Sequence, residues 1–308
     1  MNSITLPMDK GVSVLLNVWE GDDDRLLELS LSSIYAQTQA PSQLVVVVDG
    51  PIPIQLRKTL ELILARATCQ VVIEHLPKNL GLSEARNIGI SLCENRLIAL
   101  HDADDLMHPE RLRNQSEVFA ILQPSVLGAV AYEFDVKSKQ IVGQRKTVVN
   151  RPLTTSDMWI LNPIHHSTVM MSKAAVTAVG MYSRCPGAED LNLWRRLARD
   201  GAAIVNTNHV LQALGTDRRL LQRRRINAKM LRGEVRLAVD QLSSGKWSET
   251  FVAPASFVAR CAYRTLPLPL MSIAQNRFSL VHEIRYGLTL DSYLNNPVPI
   301  GLPTSSAN

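Results

Sequence analysis

An α/β fold built on a mostly parallel sheet flanked by helices is what this sequence predicts, and two patterns predict it. Short β-branched runs alternate with helical apolar spacing four times within about the first 110 residues. An acidic triplet, Asp102, Asp104 and Asp105, closes the fourth run, where open α/β sheets bind ligands.

Val12–Val18 reads as a first buried strand. Asp22–Asp24 offer an N-cap to a helix in which Leu27, Leu31, Ile34 and Tyr35 recur at helical spacing. Leu44–Val48 is a second β-branched strand, stopped by the turn signal Asp49–Gly50–Pro51. Leu56, Leu60 and Ile63 mark the next amphipathic helix, and Gln70–Glu74 a third strand. Ser83 caps a helix running through Cys93, and Arg96–Leu100 is the fourth strand. Right-handed crossovers then place helices on both faces.

Beyond the triplet the alternation stops. Pro109–Leu122 is a helix, Gly128–Asp135 and Gln140–Lys146 form an antiparallel hairpin, and Ser167–Met171 is a strand candidate. A strong helix spans Glu189 to Arg199 and is closed by Gly201, followed by a short strand Ala203–Asn206. The tail from Gly215 reads as helical and opens on Arg223–Arg224–Arg225, while Pro303–Asn308 reads as frayed. Two units are expected: residues 1–214 as the ligand-binding body and residues 215–308 as a basic helical extension.

Composition bounds the function. The chain has 308 residues, 46% of them hydrophobic, which supplies a full core and excludes disorder. Cys69, Cys93, Cys185 and Cys261 are scattered without metal spacing, and Cys69 and Cys93, in or beside apolar segments, fit buried thiols of a reducing compartment. No signal-peptide core and no bilayer-length apolar run is present, so a cytoplasmic enzyme is expected. From Gly215 onward there are 13 Lys/Arg against 6 Asp/Glu, whereas the first 214 residues carry 20 against 22. A basic tail points to an acidic partner or to a solvated helix. Basic residues without aromatic interleaving disfavour nucleic acid. Neither GxGxxG nor a Walker A motif is present, and Leu106 breaks an EF-hand pattern.

The chemistry concentrates at strand ends. Asp102 and Asp104 are spaced to meet one hard divalent ion, and the same residues also fit an acidic turn before Pro109. Trp19–Glu20 and Asp49 end the first two strands, so a parallel sheet brings them to the same rim. In Asn79–Asn87, Gly81 permits a positive φ, and Arg86 sits near a helix start, against the dipole. A phosphate or carboxylate partner explains that arginine better than local stability does, with a surface salt bridge as the alternative. Glu189 and Asp190 open the strong helix, whose Leu193, Trp194 and Leu197 form a buried stripe. The pair fits helix capping, or Asp190 as a general base positioned by Trp194 one turn later.

Together, Val12–Glu20, Val45–Pro51, Asn79–Asn87, His101–Asp105, Asn162–Met171 and Glu189–Arg196 resemble the family 2 glycosyltransferases of GT-A fold, in order and spacing. The segments are most similar to those of bacterial transferases of capsule, exopolysaccharide or lipopolysaccharide biosynthesis. The resemblance implies an inverting, hexosyltransferase-type enzyme using a nucleotide-diphosphate sugar, UDP-linked, and a saccharide or lipid-linked acceptor. It implies that Asp49 contacts the base, with Glu20 on the same nucleotide side, and that Arg86 lies by the diphosphate. It implies that Asp102 and Asp104 form a DxD pair for Mg²⁺ or Mn²⁺. Asp190 would be the base, with His166, Glu189 and Trp194 on the acceptor side. Valine at position 48 replaces a second acidic residue common in relatives. Gln222–Arg225 resembles the QxxRW motif of processive synthases without its Trp, which implies single addition. Phe257–Phe278 mixes apolar residues with arginine and is a candidate for peripheral contact with the inner face of the plasma membrane, or for packing on the body. An inactive docking subunit of an assembly complex and a nucleotidyltransferase of related fold are the competing readings.

Overall fold

The computed structural model describes residues 11–145, 147–149, 151–216, 227–267, 270, 281–282 and 289–296. Lys146, Arg223–Arg225 and the ends, Met1–Lys10 and Pro303–Asn308, lie outside them.

Four parallel strands carry the amino-terminal half: β1 (Val12–Val18), β2 (Gln43–Val48), β3 (Gln70–His75) and β4 (Leu97–Asp102). Helices α1 (Asp24–Tyr35), α2 (Ile54–Leu64) and α3 (Leu82–Leu92) link them. Every residue of β2 is buried, as expected of a central parallel strand covered on both faces. Alternate side chains go to opposite layers. Leu15, Val45, Val47 and Leu100 face α3, whereas Leu16, Val46 and Val48 join Leu27, Leu31 and Leu60 of α1 and α2.

The second half turns antiparallel. Strand β5 (Leu106–Met107) is followed by α4 (Arg111–Leu122), the hairpin β6 (Val126–Asp135) and β7 (Ile141–Arg145), and then β8 (Met170–Ser172). Helices α5 (Lys173–Ala178) and α6 (Glu189–Arg199) precede β9 (Ile204–Thr216). The order across the sheet is β10-β7-β6-β8-β4-β1-β2-β3, with β10 spanning Val281–His282 and β9 laid parallel to β6 and reaching β5. Helices α7 (Ala228–Leu242), α8 (Trp247–Thr265) and α9 (Leu290–Asn295) complete the described chain.

Three local expectations are corrected. Ser83 does not cap α3; Gly81 stands at the N-cap with φ +89°, and the Ser83 hydroxyl donates to the Ser183 carbonyl. The strand expected from Ser167 starts only at Met170, because His166–Thr168 forms a 3-10 turn. The short strand at Ala203–Asn206 extends instead to Thr216, since β6 offers a partner along its whole length. β9 therefore runs through position 215, and the helical hairpin begins after it.

A buried polar chain fixes the end of β4. Arg111, wholly buried, donates to Gln115 Oε1 at 3.1 Å, Gln212 Oε1 at 2.8 Å and the carbonyls of Leu100 and Val169. A guanidinium can only donate, so the Gln212 amide nitrogen faces His101 Nδ1 at 3.0 Å and that nitrogen accepts. The His101 proton therefore sits on Nε2, 2.9 Å from Ser30 Oγ, and Ser30 in turn donates to the Asp102 carbonyl. Burial and the Arg111 charge push the His101 ring down to about 3, keeping it neutral. Arg111→Met leaves Gln212 Oε1 without its donor and takes one donor each from the carbonyls of Leu100 and Val169, the latter keeping the Leu100 N–H. It should lower the unfolding free energy by about 3 kcal/mol in urea titration; a loss below about 1 kcal/mol would show the clamp to be dispensable.

Candidate active site

The sheet register gathers the strand ends on one rim. Val18 lies opposite Val48, and Asn17 opposite Asp102, so the turns after β1, β2 and β4 open side by side. Glu20 is exposed in the turn after β1. Asp49, buried after β2, accepts the backbone N–H groups of Leu80 at 2.7 Å and Gly81 at 3.0 Å. Its carboxylate thereby staples the loop that starts α3.

That loop delivers Arg86. The guanidinium is buried, lies 5.4 Å from the Tyr182 ring centroid, and reaches Asp102 Oδ1 at 3.4 Å and His166 Nδ1 at 3.1 Å. The partner is thus a carboxylate inside the cleft and not a surface ion pair. Arginine donates here too, so His166 Nδ1 accepts and its proton lies on Nε2, 2.9 Å from the Tyr182 hydroxyl. Burial and then the Arg86 charge lower the His166 pKa, so the ring is neutral near pH 7. Asn87 holds the other side by bonding both the N–H and the carbonyl of Tyr182.

Four carboxylates meet around the end of β4. Burial pushes the Asp102 carboxyl up, but the Arg86 guanidinium 3.4 Å away outweighs it and holds the carboxyl below the usual carboxylate range. Asp105 turns inward and accepts the Gly215 N–H at 3.0 Å; burial, then Asp104 and Asp102, raise its pKa well above normal. Asp104 is half-buried and faces the same cluster. The fourth is Asp22, which sequence inspection treats only as part of a helix cap. Asp23 is the residue that caps α1, whereas Asp22 accepts the Trp19 N–H at 3.0 Å. Burial raises the Asp22 pKa to about 7 against that hydrogen bond, with Asp104 and Asp102 adding to the rise. One spare aspartate before the cap was the available signal.

Asp190 approaches from the opposite flank. It opens α6 half-buried, and Asn162 Nδ2 donates to its Oδ2 at 2.7 Å. Asn162 is itself pinned by the Ile164 N–H at 3.1 Å. The residue that orients Asp190 is therefore Asn162, which the sequence places in a resemblance segment without a role of its own; Trp194 is wholly buried, with its ring 6.4 Å from that of His166. Glu189 accepts the Gly187 N–H at 2.9 Å. Asp102 and Asp190 both act electrostatically on His166 and Tyr182, so both carboxylates lie near that pair.

The sequence profile described as "Glycosyl transferase family 2" matches residues 24–179. The chain belongs to this family. Over 266 residues it is 29% identical to the "Amylovoran biosynthesis glycosyltransferase AmsE" of Erwinia amylovora, covering 84% of this chain and 96% of that protein. It is 26% identical to the "UDP-Gal:alpha-D-GlcNAc-diphosphoundecaprenol beta-1,3-galactosyltransferase" of Escherichia coli, over 69% of this chain and 76% of the relative. Among solved structures, residues 1–349 of S. aureus TarS with UDP-GlcNAc superpose with a TM-score of 0.61 at 16% identity, over 83% of this chain and 73% of that one. The longer TarS chain is spanned to 43%. A mannosyltransferase of Pyrobaculum calidifontis in complex with GDP-Man and Mn²⁺ superposes with a TM-score of 0.53 at 15% identity, over 87% and 79%. These likenesses show the GT-A fold, and the family makes the protein a glycosyltransferase.

An acid whose pKa rises on folding binds a proton more tightly in the folded state, so its contribution favours folding below its unfolded value and is lost as pH climbs through the folded one. Without added metal, the Asp22 contribution to stability should therefore fall between about pH 4 and pH 7. Asp22→Asn should flatten that slope in thermal unfolding across the range and raise stability at pH 7.5. An unchanged slope would remove Asp22 from the cluster.

Proposed function

We propose that this glycosyltransferase moves one sugar from a UDP-linked nucleotide-diphosphate sugar to a saccharide or lipid-linked acceptor in bacterial surface polysaccharide assembly, with inversion at the anomeric carbon. The observation that supports it most is the convergence of Arg86–Asp102 and Asn162–Asp190 on the His166–Tyr182 pair from two flanks. A cation-bearing, carboxylate-rich cluster and a carboxylate base oriented by Asn162 thus reach the same pair of side chains. The relatives named for amylovoran biosynthesis and for galactose transfer to a diphosphoundecaprenol-linked GlcNAc support the acceptor class.

The chain's own groups divide the work. Asp49 and the turn bearing Glu20 border the nucleotide end, and Arg86 donates to the diphosphate, exchanging its contact with Asp102 for phosphate oxygens. Asp190 accepts the proton of the acceptor hydroxyl as its oxygen attacks the anomeric carbon. The bond to the diphosphate oxygen breaks on the opposite face, and the electron pair leaves with the nucleotide. One displacement inverts the centre and needs no covalent intermediate, so Asp190 serves as base and not as nucleophile. His166, neutral and donating to Tyr182, keeps Arg86 aimed, while Glu189 and the buried Trp194 shape the acceptor side.

A divalent cation fits this donor set in a restricted way. Among the described residues no three His, Cys, Asp or Glu side chains come together as a self-sufficient metal site. Mg²⁺ and Mn²⁺ in such clefts take one or two carboxylates and complete their shell with substrate phosphates and water. Asp102 and Asp104 would supply those ligands, with Asp22, made a poor anion by burial and then by its acidic neighbours, gaining its charge back beside a cation. The bound ion would neutralise charge developing on the leaving diphosphate.

Asp190→Asn should reduce sugar transfer from UDP-sugar by at least about 10³-fold while leaving UDP binding intact. Equal turnover would remove Asp190 from its role. Asn162→Ala should lower kcat about 10- to 100-fold with donor KM unchanged, since the base loses its orientation and not its charge. Asp104→Ala should abolish the Mn²⁺-dependent part of UDP affinity in calorimetry, and undiminished affinity would exclude it as a ligand.

A further inference from the structure

The two helices after β9 sort their charges by side. No acid on α7 or α8 is exposed: Glu234 is buried between the two helices against Arg260 at 2.6 Å and Arg264 at 2.9 Å, while Asp240 pairs with Arg199 and Glu249 with Arg195 at 3.4 Å on the body. Arg260 and Arg264, in the stretch that the sequence leaves open between membrane contact and packing, are thus spent on ion pairs within the fold. The outward face is different. On α7 it carries Leu231, Arg232, Val235, Arg236 and Val239, and on α8 Trp247, Phe251 and Val258. Trp247 is 79% exposed and Phe251 74%, their rings stacked 5.9 Å apart. Lys229 and Lys246 are also exposed, and no acid of either helix is. A solvated face mixes both signs of charge and leaves aromatic rings out; this one combines bare apolar groups with cations alone.

We propose that the outward face of α7 and α8 binds an anionic lipid bilayer. A surface of this kind gains from burying its apolar side chains at the headgroup boundary and from the negative potential of acidic lipids. A second copy of the chain fits poorly, because a two-fold contact would set Arg232 and Arg236 against themselves with no exposed acid to neutralise them. The seat is rigid and close to the chemistry. Arg264 Nη2 bonds the Gly187 carbonyl at 3.1 Å, Cys185 Sγ bonds the Gly233 carbonyl at 3.2 Å, and any Cβ at Gly233 would collide with the Pro186 carbonyl. Residues 185–187 lead directly into α6 and Asp190. A bilayer under α7 and α8 therefore holds the base-bearing helix beside the phase in which a lipid-linked acceptor resides, an advantage that rests on the transferase reading above.

Co-sedimentation of the full chain with vesicles tests this. The wild type should partition strongly onto an equal mixture of phosphatidylglycerol and phosphatidylcholine, weakly onto phosphatidylcholine alone, and less as salt rises. Arg232→Gln with Arg236→Gln should lower the partition coefficient by about fivefold per arginine, and Trp247→Gln with Phe251→Gln by at least as much. Trp247→Phe should abolish a blue shift of tryptophan emission on vesicle addition. All variants should keep the wild-type melting temperature and rate of UDP-sugar hydrolysis, which separates lipid binding from the catalytic assignment. The proposal is overturned if wild-type partition is equal on both vesicle types or absent, or if the variants bind as the wild type does. It is equally overturned if velocity sedimentation finds a dimer that Trp247→Gln with Phe251→Gln dissolves while vesicles go unbound.

Discussion

Negative charge crowded onto one strand end is the constraint to which the rest of the molecule answers. Two carboxylates about 4 Å apart repel by about 4 kcal/mol at the effective dielectric of a protein rim, and here four of them converge. Three of them are relieved, each in its own way. Asp102 has the Arg86 guanidinium, Asp105 has the Gly215 N–H, and Asp22 relaxes by holding its proton at mildly acid pH. Asp104 stands between them and raises both of its acidic neighbours. A pocket so arranged favours arriving positive charge, and a diphosphate can enter it only with cationic help.

Holding these groups in register takes rigid support that adds no further anion. The chain from Arg111 through Gln212, His101 and Ser30 to the Asp102 carbonyl is buried, and no carboxylate takes part in it. Burial lowers the Arg111 pKa to about 9, yet its N–H groups are spent on carbonyls and amides. Such a network is worth most when complete, because each missing donor strands an acceptor in a low dielectric. Fixed by its backbone, Asp102 can exchange one side-chain partner for another without moving the strand.

Much of this was legible in the chain. The β-branched runs and the helical apolar spacing identified β1 to β4 and α1 to α3 within a residue or two, because periodicity reports burial directly. The acidic triplet, Arg86 and Asp190 stood out because charge at a strand end or against a helix dipole needs a reason. Asn162, Tyr182 and Asp22 did not stand out. An asparagine before proline, a tyrosine after a turn and an aspartate beside a capping aspartate all have ordinary local explanations. Their role comes from partners 28, 16 and roughly 80 positions away along the chain, Asp190, His166 and the β4 triplet.

By itself, then, the order of residues determined the parallel half of the sheet, the placing of the carboxylates on its rim and the basic character of the tail, since each follows from local pattern and from connection rules. Tertiary structure alone decided which carboxylate stays ionised, which nitrogen of His166 carries the proton, and that Asn162 aims Asp190. It also decided that Arg260 and Arg264 face inward while Trp247 and Phe251 face outward. Those outcomes depend on burial and on distances between remote segments. Both are set only when the helices close over the sheet.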